Sequence, residues 1–173
     1  YALITKDNKL KIRGFETVRR DWCQLARITQ NRIIQLILED GNSERALKYF
    51  KEVVKKLKDR EIQIEELIIK TQLKKPISEY KAISPHVIAA KKMEEKEIPI
   101  SDGNLVEYYI AESGEGKKLV RDRVKLPDEK GKYEIKYYLN NQILPAVENI
   151  FQVLNINAKE IIDGKKQMTL GEF

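Results

Sequence analysis

KKPISEYKAISPHVIAAKKM, residues 74–93, decides the reading of the fold. Pro76 ends whatever precedes it, ISEY reads as a single turn of helix, and Ser84-Pro85 is a break. Pro85 suits the first position of a new helix, on which Val87, Ala90 and Met93 fall on one inward face. Working outward, EELIIKTQL before this stretch is a short apolar run consistent with a strand, and LVEYYIAE after the Asp102-Gly103 turn is a β-branched and aromatic strand. KKLVRDRV, beyond a Glu115-Gly116 turn, reads as the hairpin partner of that strand. Helices and strands do not alternate as βαβ units, so the class is α+β.

Further out, YALIT-KDN-KLKI is two alternating strands around a polar turn, a hairpin that needs more strands beside it to be stable. Asp21, with Gln24 three residues later, predicts a capping box and a helix from about Trp22. Trp22, Leu25, Ala26, Thr29, Ile33, Leu36 and Ile37 form its apolar stripe, and Asp40-Gly41-Asn42 should end it. Ser43 then caps a second helix with Ala46, Leu47, Phe50, Val53, Val54 and Leu57 inside; Lys48, Lys51, Lys55, Lys56 and Lys58 read as its solvated side. Pro127 to Gly131 is a polar loop, and EIKYYLNNQILPAVENIFQVL is a long helix interrupted by Pro145.

The 173 residues carry 33 Lys and Arg against 27 Asp and Glu, a net charge of +6. That balance favours a polyanionic partner, although charge alone does not separate it from an ordinary basic protein. Cys23 is the one cysteine and His86 the one histidine, which excludes an internal disulfide and the usual Cys/His zinc clusters. A reducing cytoplasmic compartment is expected, and no apolar run approaches the roughly 20 residues that span a bilayer. The first residues lack Met and open directly on a strand, as expected of a piece of something longer. Walker, GxGxxG, GxSxG, HExxH and DxD patterns are absent, so no catalytic residue and no metal or cofactor ligand is assigned.

Residues 74–86 carry the chemistry. Lys74, Lys75, Ser78, Tyr80, Lys81, Ser84 and His86 can all donate hydrogen bonds to phosphate, on a loop and at the start of a helix whose N-terminus favours anions. His86, being alone, suits burial or a phosphate contact better than general-base work. Arg19 and Arg20, ahead of Asp21, are either a second phosphate-tracking site or a helix-start ion pair with it. Tyr108, Tyr109, Tyr133, Tyr137 and Tyr138 could stack on single strands, but their YY pairing within a strand and a helix favours packing.

KIRGFETVRRDWCQLARITQ, PISEYKAISPHVIAAKKM and KYEIKYYLNNQILPAVENIF, in that order and spacing, resemble the C-terminal palm-edge and thumb segments of archaeal family B DNA polymerases. The resemblance implies a mostly helical thumb lobe, an N-terminal hairpin belonging to the palm sheet and a small β-hairpin subdomain. It divides the chain into residues 1–21 (palm edge and palm-thumb junction), 22–162 (thumb) and 163–173 (tail). The implied task is to grip primer-template duplex DNA behind the active site. Arg19, Arg20 and Asp21 would lie near the primer, and Lys75, Tyr80, Lys81 and His86 along the duplex. Lys75 stands where the family commonly has Arg, and Lys74 where relatives often have Thr. No residue matches the family's metal-binding aspartates, so Mg2+ is expected in the palm of a catalytic partner. That partner would be the large subunit of a split polymerase or the remainder of one chain, working at the archaeal nucleoid.

The last residues, QMTLGEF (167–173), fit Q-x-x-hydrophobic-x-x-aromatic and resemble the sliding-clamp (PCNA) box of replication proteins. Leu170 and Phe173 would plug an apolar pocket and Gln167 a polar one. One terminal aromatic stands where many such boxes have two. The alternative to a polymerase part is a stand-alone basic nucleic-acid-binding or clamp-binding accessory module.

Overall fold

The computed structural model describes residues 2–7, 9–13, 21–101, 103–114 and 119–164. The architecture is α+β: seven α-helices among the described residues, with a two-stranded and a three-stranded antiparallel sheet. The chain divides into two compact units, one built from residues 1–19, 25–61 and 138–173, the other from residues 20–24 and 62–137.

In the first unit β1 (Ala2–Ile4) pairs antiparallel with β2 (Leu10–Ile12), in the register Leu3↔Lys11. α1 (Gln24–Asp40) buries Leu25, Ala26, Ile33, Ile34 and Leu36, and Gly41, at φ +65°, follows its end. The helix begins two residues later than the sequence predicts. Asp21 lies in a turn and Trp22 is buried ahead of the helix, so the expected capping box is not its start. α2 (Glu44–Lys58) buries Ala46, Phe50, Val53, Val54 and Leu57. Ser43 precedes it but makes no side-chain cap; the Asn42 Oδ1 accepts the Glu44 N–H instead, at 3.0 Å.

The C-terminal part of this unit shows how a helix accommodates proline. Pro145 can neither donate to the preceding turn nor let the carbonyl four residues back approach its ring. The chain therefore opens into a π-helical turn over Leu139–Ile143 before α6 (Leu144–Val153). The buried Gln30 of α1 donates to the Ala146 carbonyl at 2.6 Å, and the rings of Phe50 and Phe151 meet at 5.2 Å. α7 (Ala158–Asp163), short and missed by periodicity, is capped by Asn157, whose Oδ1 accepts the Lys159 N–H at 3.1 Å. Lys58 Nζ reaches the Ile162 carbonyl and joins α2 to α7.

In the second unit α3 (Ile64–Leu67) is one turn that leads into β3 (Ile69–Gln72). β3 pairs antiparallel with β4 (Leu105–Ile110), placing Lys70 opposite Glu107 at 2.5 Å. β5 (Val124–Lys125) completes the sheet in the order β3-β4-β5. It is much shorter than KKLVRDRV suggested: Val120–Arg123 is a 3-10 turn, and Arg123 Nη1 pairs with Glu134 at 2.7 Å. α4 (Pro85–Glu95) packs on β4 and β5 with Val87, Ala89 and Ala90 buried; Met93 is half-buried. Its Lys92 ammonium donates to the Val124 carbonyl at 2.8 Å and to both Glu129 carboxylate oxygens at 3.0 Å. Burial pushes the Glu129 carboxyl up, but the Leu126 N–H and the Lys92 ammonium outweigh it and hold the group below its ordinary value. The Tyr109 hydroxyl donates to the Glu129 carbonyl, and Gly131 leaves room for that phenol, since a Cβ there would lie 2.9 Å from it. The second unit continues to Tyr137, within α5 (Ile135–Tyr138).

Three helices end on a left-handed residue that is not glycine: Arg60, Glu97 and Asn155, at φ 60°, 58° and 56°. Each end is closed by a bond across six residues, from Glu61 to Lys56, Ile98 to Met93 and Ile156 to Phe151. Glutamate tolerates that backbone poorly, so Glu97→Gly should stabilise the protein by about 0.5–1 kcal/mol. Thermal unfolding checks this; a lower midpoint would mean that the exposed Glu97 side chain contributes more than its backbone costs.

Candidate nucleic-acid interface

Four of the predicted donors, Lys74, Lys75, Tyr80 and His86, come together where β3 leaves the sheet. Leu73 stays buried and bonds through its backbone to Gly103 and Asn104, which holds the strand end. Lys74 and Lys75 follow immediately. Pro76, at φ −54°, turns the chain into a 3-10 turn over Ile77–Glu79, and residues 81–84 carry it to α4. A cleft of about 640 Å3 opens among Asp21, Thr71, Gln72, Lys74, Lys75, Tyr80, His86 and Tyr108.

Tyr80 is the hub of this loop. Its hydroxyl accepts the Lys74 backbone N–H at 3.0 Å. Its ring carries the Lys75 ammonium 5.0 Å from the centroid and meets His86 edge-on at 5.5 Å, with an interplanar angle of 77°. Ser84 precedes the first residue of α4, yet its hydroxyl does not cap the helix; it lies 3.1 Å from Nδ1 of His86. Desolvation of the half-buried imidazole lowers the His86 pKa below its ordinary 6.5.

Of the residues singled out from sequence, Asp21, Lys74, Lys75, Tyr80 and His86 line the cleft. Ser78 lies in a neighbouring depression with Pro76, Glu94 and Ser101. Lys81 is exposed on the loop without lining the cleft, and Ser84 joins only through His86. Arg19, Arg20, Gln167, Leu170 and Phe173 lie outside the described residues. Three lining residues were not anticipated: Thr71 and Gln72 of β3, and Tyr108 of β4. Burial and the charge of Asp21 raise the Tyr108 pKa, against the opposing effect of the Thr71 hydroxyl beside it. The packing expected of the tyrosines holds for Tyr108, Tyr109, Tyr133 and Tyr138, all buried; Tyr137 is half-buried. Cys23 is buried, as expected of a core thiol.

Lysines of this unit differ in their partners, and Lys91, Lys125, Lys130 and Lys132 form no ion pair among the described residues. Lys70, Lys92 and Lys96 each pair with an acid, at 2.5, 3.0 and 2.6 Å. Lys74, Lys75 and Lys81 form no ion pair among the described residues. Such a surface, with hydroxyl and imidazole donors beside unpaired ammonium groups, suits a phosphate-bearing ligand. Among the described residues no group of three or more His, Cys, Asp or Glu side chains could hold a metal ion, and no helix is long and apolar enough to cross a membrane.

Residues 1–154 match DNA polymerase family B. The chain is 38% identical over 175 residues to a DNA polymerase of Methanocaldococcus jannaschii, covering 100% of this chain and 10% of that relative. It is 40% identical over 176 residues to a DNA polymerase of Pyrococcus horikoshii, covering 100% and 14%. The structure of the family B DNA polymerase from the hyperthermophilic archaeon Pyrobaculum calidifontis matches with a TM-score of 0.75 at 34% identity, over 91% of this chain and 20% of that one. The chain belongs to DNA polymerase family B, and it spans between 10% and 14% of the length of those two curated relatives.

The lowered His86 pKa sets a sign. Native His86 stays neutral where the unfolded chain would bind a proton, so native stability falls as pH drops below about 6.5 through the lower folded value. His86→Gln should remove that part of the decline. Urea unfolding of both proteins between pH 7.5 and 5 measures it; parallel curves would refute the assignment.

Proposed function

We propose that this chain is the duplex-gripping thumb part of a family B DNA polymerase, holding primer-template DNA through its sugar-phosphate backbone. The observation that carries this reading is that Lys74 and Lys75 line the cleft, and Lys81 follows on the same loop, with no ion pair among the described residues, in a chain that belongs to DNA polymerase family B. A polymerase must hold every sequence equally, and backbone contacts carry no base code. In this reading Lys74, Lys75, Lys81 and His86 meet phosphates, Ser78 and Ser84 add hydroxyl donors, and Arg19, Arg20 and Asp21 act near the primer end. The β1–β2 hairpin joins the palm sheet of the same polymerase, because two strands alone are marginal. The Mg2+-binding carboxylates and the chemical step belong to the palm, whether in a large subunit or in the remainder of one chain.

Two Lys-to-Ala changes, Lys75→Ala with Lys81→Ala, should weaken duplex binding alike for all sequences. They should also flatten the log-log salt dependence by about 1.8, at roughly 0.9 per lost phosphate contact. Fluorescence anisotropy across a KCl series reads both, and an unchanged slope would place these lysines in solvent. Primer extension with and without the catalytic large subunit separates a polymerase part from an accessory module, which would add nothing to extension.

The tail at Gln167, Leu170 and Phe173 is proposed to tether the polymerase to the sliding clamp. Deleting residues 167–173 should abolish clamp-stimulated synthesis and leave clamp-free synthesis intact; loss of both would mean that the tail serves the fold.

A further inference from the structure

Tyr80 is the residue on which this surface turns. Its hydroxyl closes the loop onto the Lys74 backbone, its ring holds one ammonium and its edge contact holds one imidazole. A free lysine side chain loses rotamer freedom on gripping a phosphate, a loss that opposes binding. An ammonium already seated over an aromatic face has surrendered part of that freedom in the unbound protein. Stacking Tyr80 on a base is the other use an aromatic here could have. Two observations oppose it: the ring already carries Lys75 over a face, and the phenol is engaged by the backbone.

We propose that Tyr80 is a positioning residue, which presets the Lys75 ammonium and the His86 imidazole as a paired contact for one stretch of nucleic-acid phosphates. The proposal rests on the duplex-gripping reading above and assigns the part that one uncharged side chain plays in it. Its distinctive consequence is electrostatic. Removing the ring takes away no charge, yet it should take away a counterion-releasing contact, because Lys75 is then no longer held against a phosphate.

The test uses the native polymerase that carries this chain and a fluorescein-labelled primer-template duplex, with affinity measured across a KCl series. Lys75→Ala should flatten the log-log slope by about 0.9. Tyr80→Leu should flatten it by the same amount, and the double variant should be no flatter than either single one. Tyr80→Phe keeps the ring and should keep the slope, losing affinity by no more than a few fold. If Tyr80→Leu weakens binding at an unchanged slope, or if its effect adds to that of Lys75→Ala, the ring contacts nucleic acid directly and positioning is wrong. If Tyr80→Leu does not fold, Tyr80→Phe decides: a flattened slope there overturns a role for the ring. If Lys75→Ala itself leaves the slope unchanged, the loop does not grip the duplex, and both readings fall together.

Discussion

The clasp between Lys92 and Glu129 is the interaction on which the second unit depends. One ammonium on α4 meets two carboxylate oxygens and the Val124 carbonyl, so all three of its N–H donors find acceptors in the β5 strand and the turn after it. Both side chains are under one-third exposed, enough burial for an unpaired partner to be costly. Glu129 also accepts the Leu126 N–H and, through its carbonyl, the Tyr109 hydroxyl. Helix, strand and turn are thus tied at one carboxylate. Fixing α4 at Lys92 also helps to hold its first turn, where His86 lines the cleft.

Charge in this unit is paired at the sheet and at α4. Lysines that hold the fold are matched to acids across strands or between α4 and the 126–131 turn, and they leave little net field. Lys74, Lys75 and Lys81 on the loop after β3 form no ion pair among the described residues, and Asp21 is the acid lining the cleft. A surface of this kind repels itself until a polyanion arrives, which is why its lysines gain from being held in place beforehand. Asp21 opposes phosphate at one wall, so the cleft has a basic side and an acidic corner.

Sequence reasoning reached α2 and the inner face of α4 because their apolar residues recur at helical spacing and no other part of the chain competes for them. It failed where tertiary contacts overrule local pattern. Asp21 and Gln24 have the letters of a capping box, but Trp22 and Cys23 are buried before the helix begins. Ser43 has the right chemistry for a cap, yet Asn42 takes the bond. Val120–Arg123 alternates like a strand but is drawn into a 3-10 turn against α4, with Arg123 held by Glu134. The cleft was half legible: its loop lysines, Tyr80 and His86 stand out as donors, whereas Thr71 and Gln72 read only as strand residues and Tyr108 as a packing residue. Their place in the cleft comes from antiparallel pairing, which sets Thr71 beside Val106 and Ile69 beside Tyr108.

The order of the two units along the chain has a consequence for how the molecule is made. The second unit ends at residue 137, whereas the first is completed by contacts such as Gln30 to Ala146, 116 residues apart. On a ribosome, every residue of the loop after β3 and its supporting sheet has been synthesised before α6 exists. The first unit meanwhile holds α1 and α2 with their apolar faces waiting for a helix not yet translated, so it is the slower, more aggregation-exposed half of the fold.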